Sequence, residues 1–297
     1  MFRTGTRVAA PWLERKARRF ATLPAMEWRL LVDEALPGAW NMAVDEAVVE
    51  AVDRGGSPPV LRVYRWSPPC LSLGFSQPYE AADAAFCATH GVDVVRRPTG
   101  GRAVLHHLEL TYAVAAPLGR PPFGFDLQAA YQSICRALVA GLRRLGVPAA
   151  ISGRPEGGLI KPTRAVPCFI GPAAGEVVAE GRKLVGSAMR RVGDSILQHG
   201  SLLEGWDGRL QAGSLGLEDD AALRPAVVTL ADLLGGPPAP ALLTDALVRG
   251  FEETFGVRLR SSALSGEERR RAERLAAGRY GHRRWTVDRD PGLAGED

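Results

Sequence analysis

The stretch Arg96 to Tyr112, R-R-P-T-G-G-R-A-V-L-H-H-L-E-L-T-Y, does most to limit the folds open to this chain. A β-rich run, Val92 to Val95, leads into a loop in which Pro98 fixes one backbone angle and Gly100-Gly101 permits conformations closed to other residues. Beyond the loop Ala103, Leu105, Leu108, Leu110 and Tyr112 predict two short strands or one interrupted strand. A loop between buried strands that carries Arg96, Arg97 and Arg102 with two glycines can press its backbone against an anionic or carbonyl-bearing ligand. For a bare Gly-Gly a tight solvated turn is the plainer reading, but this string is longer than a turn requires.

The flanking pattern is one of short strands and amphipathic helices. Alternation predicts strands over Trp28–Asp33, Val60–Trp66 and Cys70–Leu73, and Asn41 is placed as the N-cap of a helix stopped by Gly55-Gly56. Tyr79–His90 reads as one helix closed by Gly91, and Asp126–Gly146 as the clearest helix, with Ile134, Leu138 and Leu142 on one side. Ala149–Ser152 reads as a strand, the stretch to Val166 as a mobile loop, and Glu176–Ala179, Leu184–Val192 and Ile196–Leu203 as a meander turning at Glu180-Gly181 and Gly193-Asp194. The remainder, through Thr229–Leu234, Ala241–Phe255 and Glu267–Arg279, reads as helical. Short turns outnumber strand–helix–strand crossovers, which predicts α+β with a mixed, largely antiparallel sheet flanked by helices.

Charge and cysteine usage exclude several function classes. The formal net charge is +4, but the excess sits in residues 1–25, where Arg3, Arg7, Arg15, Lys16, Arg18 and Arg19 face only Glu14. The near-neutral body argues against a nucleic-acid binder. The basic stretch is read as a disordered extension or a mis-assigned start with Met26 as the working one, and residues 261–297 as a C-terminal helix and tail on a catalytic domain of 26–260. Cys70, Cys87, Cys135 and Cys168 show no C-x-x-C spacing, which fits a reducing cytoplasm and neither a zinc knuckle nor a disulfide scaffold. No apolar run is long enough to suggest a membrane span, and nothing in the sequence demands more than a monomer.

Four common catalytic signatures are absent: G-x-x-x-x-G-K-[ST], G-x-G-x-x-G after a strand, G-x-S-x-G and H-E-x-x-H. His106, His107 and Glu109 lie close together, but strand alternation sends His106 and His107 to opposite faces, so no metal pair is expected. One of these histidines is expected in the core and the other in water, with His106 facing a ligand pocket as the alternative. Cys70 in an apolar strand and Cys87 and Cys135 on buried helix faces fit structural roles. Cys168, between Pro167 and Phe169 at the end of a Gly/Pro-rich loop, reads either as core-lining or as a nucleophile. Only three of 37 Lys and Arg residues are lysines, Lys16, Lys161 and Lys183. Lys161 reads as solvated, whereas Lys183, a short hairpin from Cys168, offers either a solvated surface charge or a compact cation placed at a reacting group. An ammonium within about 4 Å favours a thiolate by about 4 kcal/mol at an effective dielectric of roughly 20, before desolvation and screening. A quarter of that multiplies the thiolate fraction several-fold.

Five blocks in order, N-M-A-V-D-E-A at Asn41, the Arg96–Tyr112 string, P-C-F at Pro167, G-R-K-L-V-G-S-A-M-R-R at Gly181 with L-Q-H-G-S at Leu197, and R-Y-x-x-x-x-W at Arg279, resemble the lipoate- and biotin-protein ligase superfamily. The branch most similar is that of the LipM-type octanoyltransferases. The resemblance implies the biotin/lipoate ligase catalytic fold and transfer of an octanoyl group from octanoyl acyl carrier protein to the lysine of a lipoyl-domain protein, foremost the glycine cleavage H protein. It further implies that Cys168 carries the acyl group as a thioester, that Lys183 lowers its pKa, and that no cofactor is needed. Gly100, Gly101, Arg102 and Ala103 would form one wall of an acyl tunnel, with Arg97 and His106 near its mouth and Thr99, Gly186 and Ser187 as further substrate-binding residues. Met189 and the His106-His107 pair depart from the commoner Gln and Asp of the branch, which changes the expected pocket polarity. The alternatives are an ATP-dependent lipoate-protein ligase and a non-catalytic acyl- or lipoyl-binding protein. Ligases of the first kind typically carry Asn-Asp where this chain has Gly175-Glu176.

Overall fold

The computed structural model describes residues 26–153 and 174–290. Residues 1–25, Lys161, Pro167, Cys168 and Phe169 lie outside the described residues, as does most of the loop expected before Val166.

In chain order the elements are β1 (Met26–Leu36), α1 (Gly38–Asp53), β2 (Val60–Trp66), β3 (Cys70–Leu73), α2 (Ala84–Thr89), β4 (Asp93–Arg96), β5 (Val104–His106) and β6 (Glu109–Pro117). There follow α3 (Leu127–Arg144), β7 (Ala149–Ile151), β8 (Val177–Ala179), β9 (Arg182–Val192), β10 (Ser195–Leu203), α4 (Gly208–Ser214), α5 (Leu230–Leu234), α6 (Pro240–Phe255), β11 (Val257–Ser261) and α7 (Gly266–Leu275). Two wide helical turns, Ala276–Tyr280 and Arg284–Asp288, close the described chain. Among the described residues, an eight-stranded sheet runs β11-β1-β2-β6-β10-β9-β8-β7 and a three-stranded sheet runs β4-β3-β5. Pairing is parallel between β11, β1 and β2 and between β3 and β4, and antiparallel elsewhere. The fold is therefore α+β with a largely antiparallel main sheet. No described helix is long and apolar enough to cross a membrane.

The main sheet buries both faces. One is covered by α3 and α6, whose Ile134, Leu138, Leu142, Leu247 and Phe251 pack on Leu61, Tyr112, Val114 and Val185. The Asp126 side chain caps α3 by accepting from the amides of Gln128 and Ala129. The other face is covered by α1 and α7, with Val44, Ala47, Val48, Ala272 and Leu275 against Leu31, Ala113, Ala115 and Leu197. A smaller core of Leu71, Leu73, Cys87, Ala103 and Leu105 belongs to the second sheet.

Three expectations are corrected. Asn41 does not cap α1, which starts at Gly38 after Pro37. Inside the helix, its amide donates to the carbonyls of Leu36 and Arg65, so an apparent cap residue instead ties α1 to the ends of β1 and β2. Tyr79–His90 is not one helix: a single turn at Tyr79–Ala81 breaks off, and Asp83 caps α2 by accepting from the Phe86 amide. The C-terminal part is not all helical, since Val257–Ser261 pairs in parallel with β1 at the sheet edge. The run after the glycine loop resolves into two strands in different sheets, β5 in the small one and β6 in the large one. The chain crosses between sheets at His107-Leu108, where Leu108 takes φ 45° and its carbonyl accepts from the amides of Glu204 and Gly205.

Candidate active site

The crossing from one sheet to the other builds the site, because it sets the glycine loop across the gap between them. The loop is tied to the small sheet by backbone bonds, Arg97 N–H to the Leu73 carbonyl at 3.0 Å and Phe75 N–H to the Thr99 carbonyl at 2.9 Å. The buried Arg97 guanidinium then staples the loop from within. It donates to the Gly100 carbonyl at 2.7 Å, the Arg102 carbonyl at 2.7 Å, and the Ser72 carbonyl at 2.9 Å and hydroxyl at 3.1 Å. Gly101 takes φ +91°, a conformation that favours glycine. Opposite it, a Cβ on Gly74 would run into the Gly101 carbonyl. Gly74→Ala is therefore expected to displace the loop and to cost about 1–3 kcal/mol of stability by overpacking, read as a lowered Tm in thermal denaturation.

From Ser72 a line of hydrogen bonds crosses the gap. The Ser72 hydroxyl lies 2.7 Å from His106 Nε2, and His106 Nδ1 lies 2.7 Å from Glu109 Oε1. Glu109 also accepts from the hydroxyls of Thr111 and Ser201, and Thr111 in turn accepts from Trp66 Nε1 at 2.7 Å. The Trp66 ring stacks on the His106 ring, with centroids 3.9 Å apart and an 11° tilt. His106 is thus buried and faces the pocket, while His107 on the other side is only partly covered.

A second histidine–carboxylate pair comes from the large sheet. His199 on β10 has Nδ1 2.9 Å from Asp45 Oδ2 and Nε2 2.7 Å from the Thr99 hydroxyl. Asp45 projects from α1 and is fully buried; it also accepts from the Tyr64 hydroxyl at 2.8 Å and from Arg62 Nη1 at 2.8 Å. Arg62 is further held by Asn41 and by Asp33. Burial pushes the Asp45 carboxyl up, but the His199 hydrogen bond and the Arg62 charge more than reverse this and leave it below its ordinary value. Burial pushes His199 down, and Asp45 only partly restores it.

Between these two networks lies a cavity. Of the residues expected from sequence, Arg97, Gly101, His106, Gly186 and Ser187 line it. Thr99 stands behind it on His199, Gly100 and Arg102 serve Arg97 through their carbonyls, and Ala103 is packed in the small-sheet core. Met42, Tyr64, Trp66, Thr111 and Ser201 also line the cavity and escaped the sequence reading; His199 lines it too, and for it the sequence suggests no more than a structural hydrogen bond. The signal that could have found the polar cluster is Asp45-Glu46, two acids inside the apolar run Ala43 to Val48. Charges at such a position are rarely buried unless paired. Glu46 is paired too, with Arg279 and the Tyr280 hydroxyl, and Trp285 Nε1 donates to the Arg96 carbonyl at 2.9 Å. The late R-Y-x-x-x-x-W block thereby braces α1 and the start of the glycine loop.

Lys183 is not a solvated surface residue. It lies within β9, three positions before Gly186, is 1% exposed, and donates from Nζ to Glu176 Oε1 at 2.7 Å. A buried ammonium requires such pairing. Burial pushes the thiols of Cys70, Cys87 and Cys135 up, the last to about 12, so none of these three supplies a thiolate at neutral pH.

The chain belongs to the lipoyl protein ligase A/B catalytic-domain family, whose profile matches residues 37–252. Within it, the chain is 42% identical to an octanoyltransferase LipM of Kyrpidia tusciae over 84% of this chain and 95% of that one. It is 39% identical to an octanoyltransferase LipM of Symbiobacterium thermophilum, over 88% and 98%. Among solved structures, a lipoate-protein ligase A bound with ATP superposes with a TM-score of 0.74 at 25% identity, covering 88% of this chain and 99% of that one. The bipartite lipoate protein ligase of Thermoplasma acidophilum, described with its E2 lipoyl domain, gives 0.73 at 25% identity over 92% and 99%.

Proposed function

We propose that this protein is an octanoyltransferase that moves an octanoyl group from octanoyl acyl carrier protein to the lysine of a lipoyl-domain protein such as the glycine cleavage H protein. The Cys168 thiolate attacks the carbonyl of the donor thioester, the donor C–S bond breaks, and the carrier leaves as a thiolate that takes up the proton Cys168 gave up on ionising. The neutral amine of the acceptor lysine then attacks the enzyme thioester; the C–N bond forms, the C–S bond breaks, and the proton lost by the amine goes to the released Cys168 sulfur, leaving an amide and free enzyme. The donor is already activated, so neither step needs ATP. A free thiol is only a few per cent ionised at pH 7; in this reading the Lys183 ammonium raises that fraction and steadies the oxyanion of each tetrahedral intermediate. The observation that carries the reading is the cavity between the glycine loop and β9–β10, three residues along the strand from a buried lysine. Its polar lining is bonded to itself, through His106 to Glu109 and His199 to Asp45, which leaves ring faces and Met42 to meet an alkyl chain.

The test is a transfer assay with purified full-length protein, octanoyl acyl carrier protein and apo acceptor, with no nucleotide present. Octanoylated acceptor is the expected product. Product that forms only with free lipoate and ATP would instead assign an ATP-dependent ligase, and retention of the acyl group without transfer a binding protein.

A further inference from the structure

We infer that Asp45, His199 and Thr99 form a positioning device that fixes the glycine loop for acyl binding. His199 acts through Thr99, not on the bond being made. The brace is argued from geometry alone; that it serves an acyl group rests on the function proposed above.

The hydrogen bonds along the line run in one direction. Asp45 accepts from Arg62 on one oxygen and from Tyr64 and His199 on the other. A carboxylate in that setting can only accept, so His199 Nδ1 carries the proton; burial holds the ring below its ordinary pKa, and Nε2 of the neutral ring presents a lone pair. The Thr99 hydroxyl, 2.7 Å away, is therefore the donor. Every member is buried: Asp45 is 1% exposed, Arg62 1%, Thr99 0% and His199 5%.

Thr99 is the residue at which this line meets the loop. Its own carbonyl accepts from the Phe75 amide, and the next carbonyl, that of Gly100, is held by Arg97. Those two bonds fasten the loop to the small sheet. On the side of the large sheet, besides the Thr99 hydroxyl, Arg190 Nη1 meets the Pro98 carbonyl at a long 3.4 Å. Loss of the Thr99–His199 bond removes the shorter of these two ties to the large sheet. Gly101, two residues on and part of the cavity wall, then loses its fixed distance from Gly186 and Ser187.

The experiment compares full-length wild type, Thr99→Val, Thr99→Ser and His199→Asn. Thr99→Val keeps the shape and removes the hydroxyl; His199→Asn keeps a donor toward Asp45 but cannot reach Thr99. Backbone amide exchange over residues 97–103 should be about tenfold faster in Thr99→Val and His199→Asn, the scale of one lost buried hydrogen bond. With octanoyl acyl carrier protein, KM should rise about tenfold while kcat changes less than about threefold. Thr99→Ser should restore both. Unchanged exchange in Thr99→Val, failure of Thr99→Ser to restore it, or a loss confined to kcat would overturn the inference. If the wild type transfers no octanoyl group, the functional reading falls, yet the exchange comparison still decides whether the brace exists.

Discussion

Replacing Cys168 with alanine is expected to abolish both the covalent octanoyl adduct and transfer to the acceptor. Wild-type protein mixed with octanoyl acyl carrier protein alone should gain the mass of one octanoyl group, mapped by mass spectrometry to the peptide holding Pro167 to Phe169. Cys168→Ala should gain none. Removal of a nucleophile on which both half-reactions depend costs about ten-thousand-fold or more in rate. Cys70, Cys87 and Cys135 cannot substitute for it, since burial holds all three as thiols. Undiminished acceptor octanoylation in Cys168→Ala would remove the thioester from the mechanism.

The largest effect on stability is expected at Asp45. Asp45→Ala leaves Arg62 buried with only the partly exposed Asp33 as carboxylate partner, and strips His199 and Tyr64 of their acceptor. Breaking a buried pair from one side costs about 3–5 kcal/mol, a large part of the roughly 5–15 kcal/mol that separates folded from unfolded chains. By contrast Glu253→Ala, which removes the exposed pair with Arg144, should change stability by less than about 1 kcal/mol. Urea denaturation of the two variants beside wild type measures both. The same cluster sets a pH dependence. Asp45 and His199 both bind protons less readily when folded than when unfolded. Stability should therefore fall as pH drops below the ordinary histidine value of about 6.5, and fall further as Asp45 is forced to protonate. In Asp45→Ala the carboxylate part of this decline should disappear. An unchanged acid limb in that variant would contradict the assignment.

Much of this fold was legible because strand alternation and helix periodicity are local signals. Val60–Trp66, the α3 stripe and the β8–β9–β10 meander needed no knowledge of the rest of the chain. What was missed depends on partners distant in sequence. β11 is short, and only its pairing with β1 makes it a strand. Asn41 carries a cap residue's chemistry, yet its amide N–H groups go to the carbonyls of Leu36 and Arg65 and its Oδ1, the acceptor a cap would use, goes to Arg62. The site divides in the same way. The glycine loop could be read from Pro98, Gly100 and Gly101 because those residues restrict the backbone by themselves. His199, Tyr64 and Trp66 are ordinary in their own segments and, with Asp45, become a site only when α1, β2 and β10 face one loop. Lys183 was legible as a candidate from lysine scarcity, whereas its burial on Glu176 was not.

The parallel pairing of β1 with β11, Met26 against Val257, bears on how the chain is made. A ribosome delivers β1 first, yet that strand has an open flank until β11 has emerged. Through almost the whole of synthesis an edge of unsatisfied backbone amides and carbonyls stands ready to recruit other chains. Contacts this distant also slow the search for the native arrangement. Nascent chains of this topology therefore have most to gain from a chaperone that shields the first strand until its last neighbour arrives.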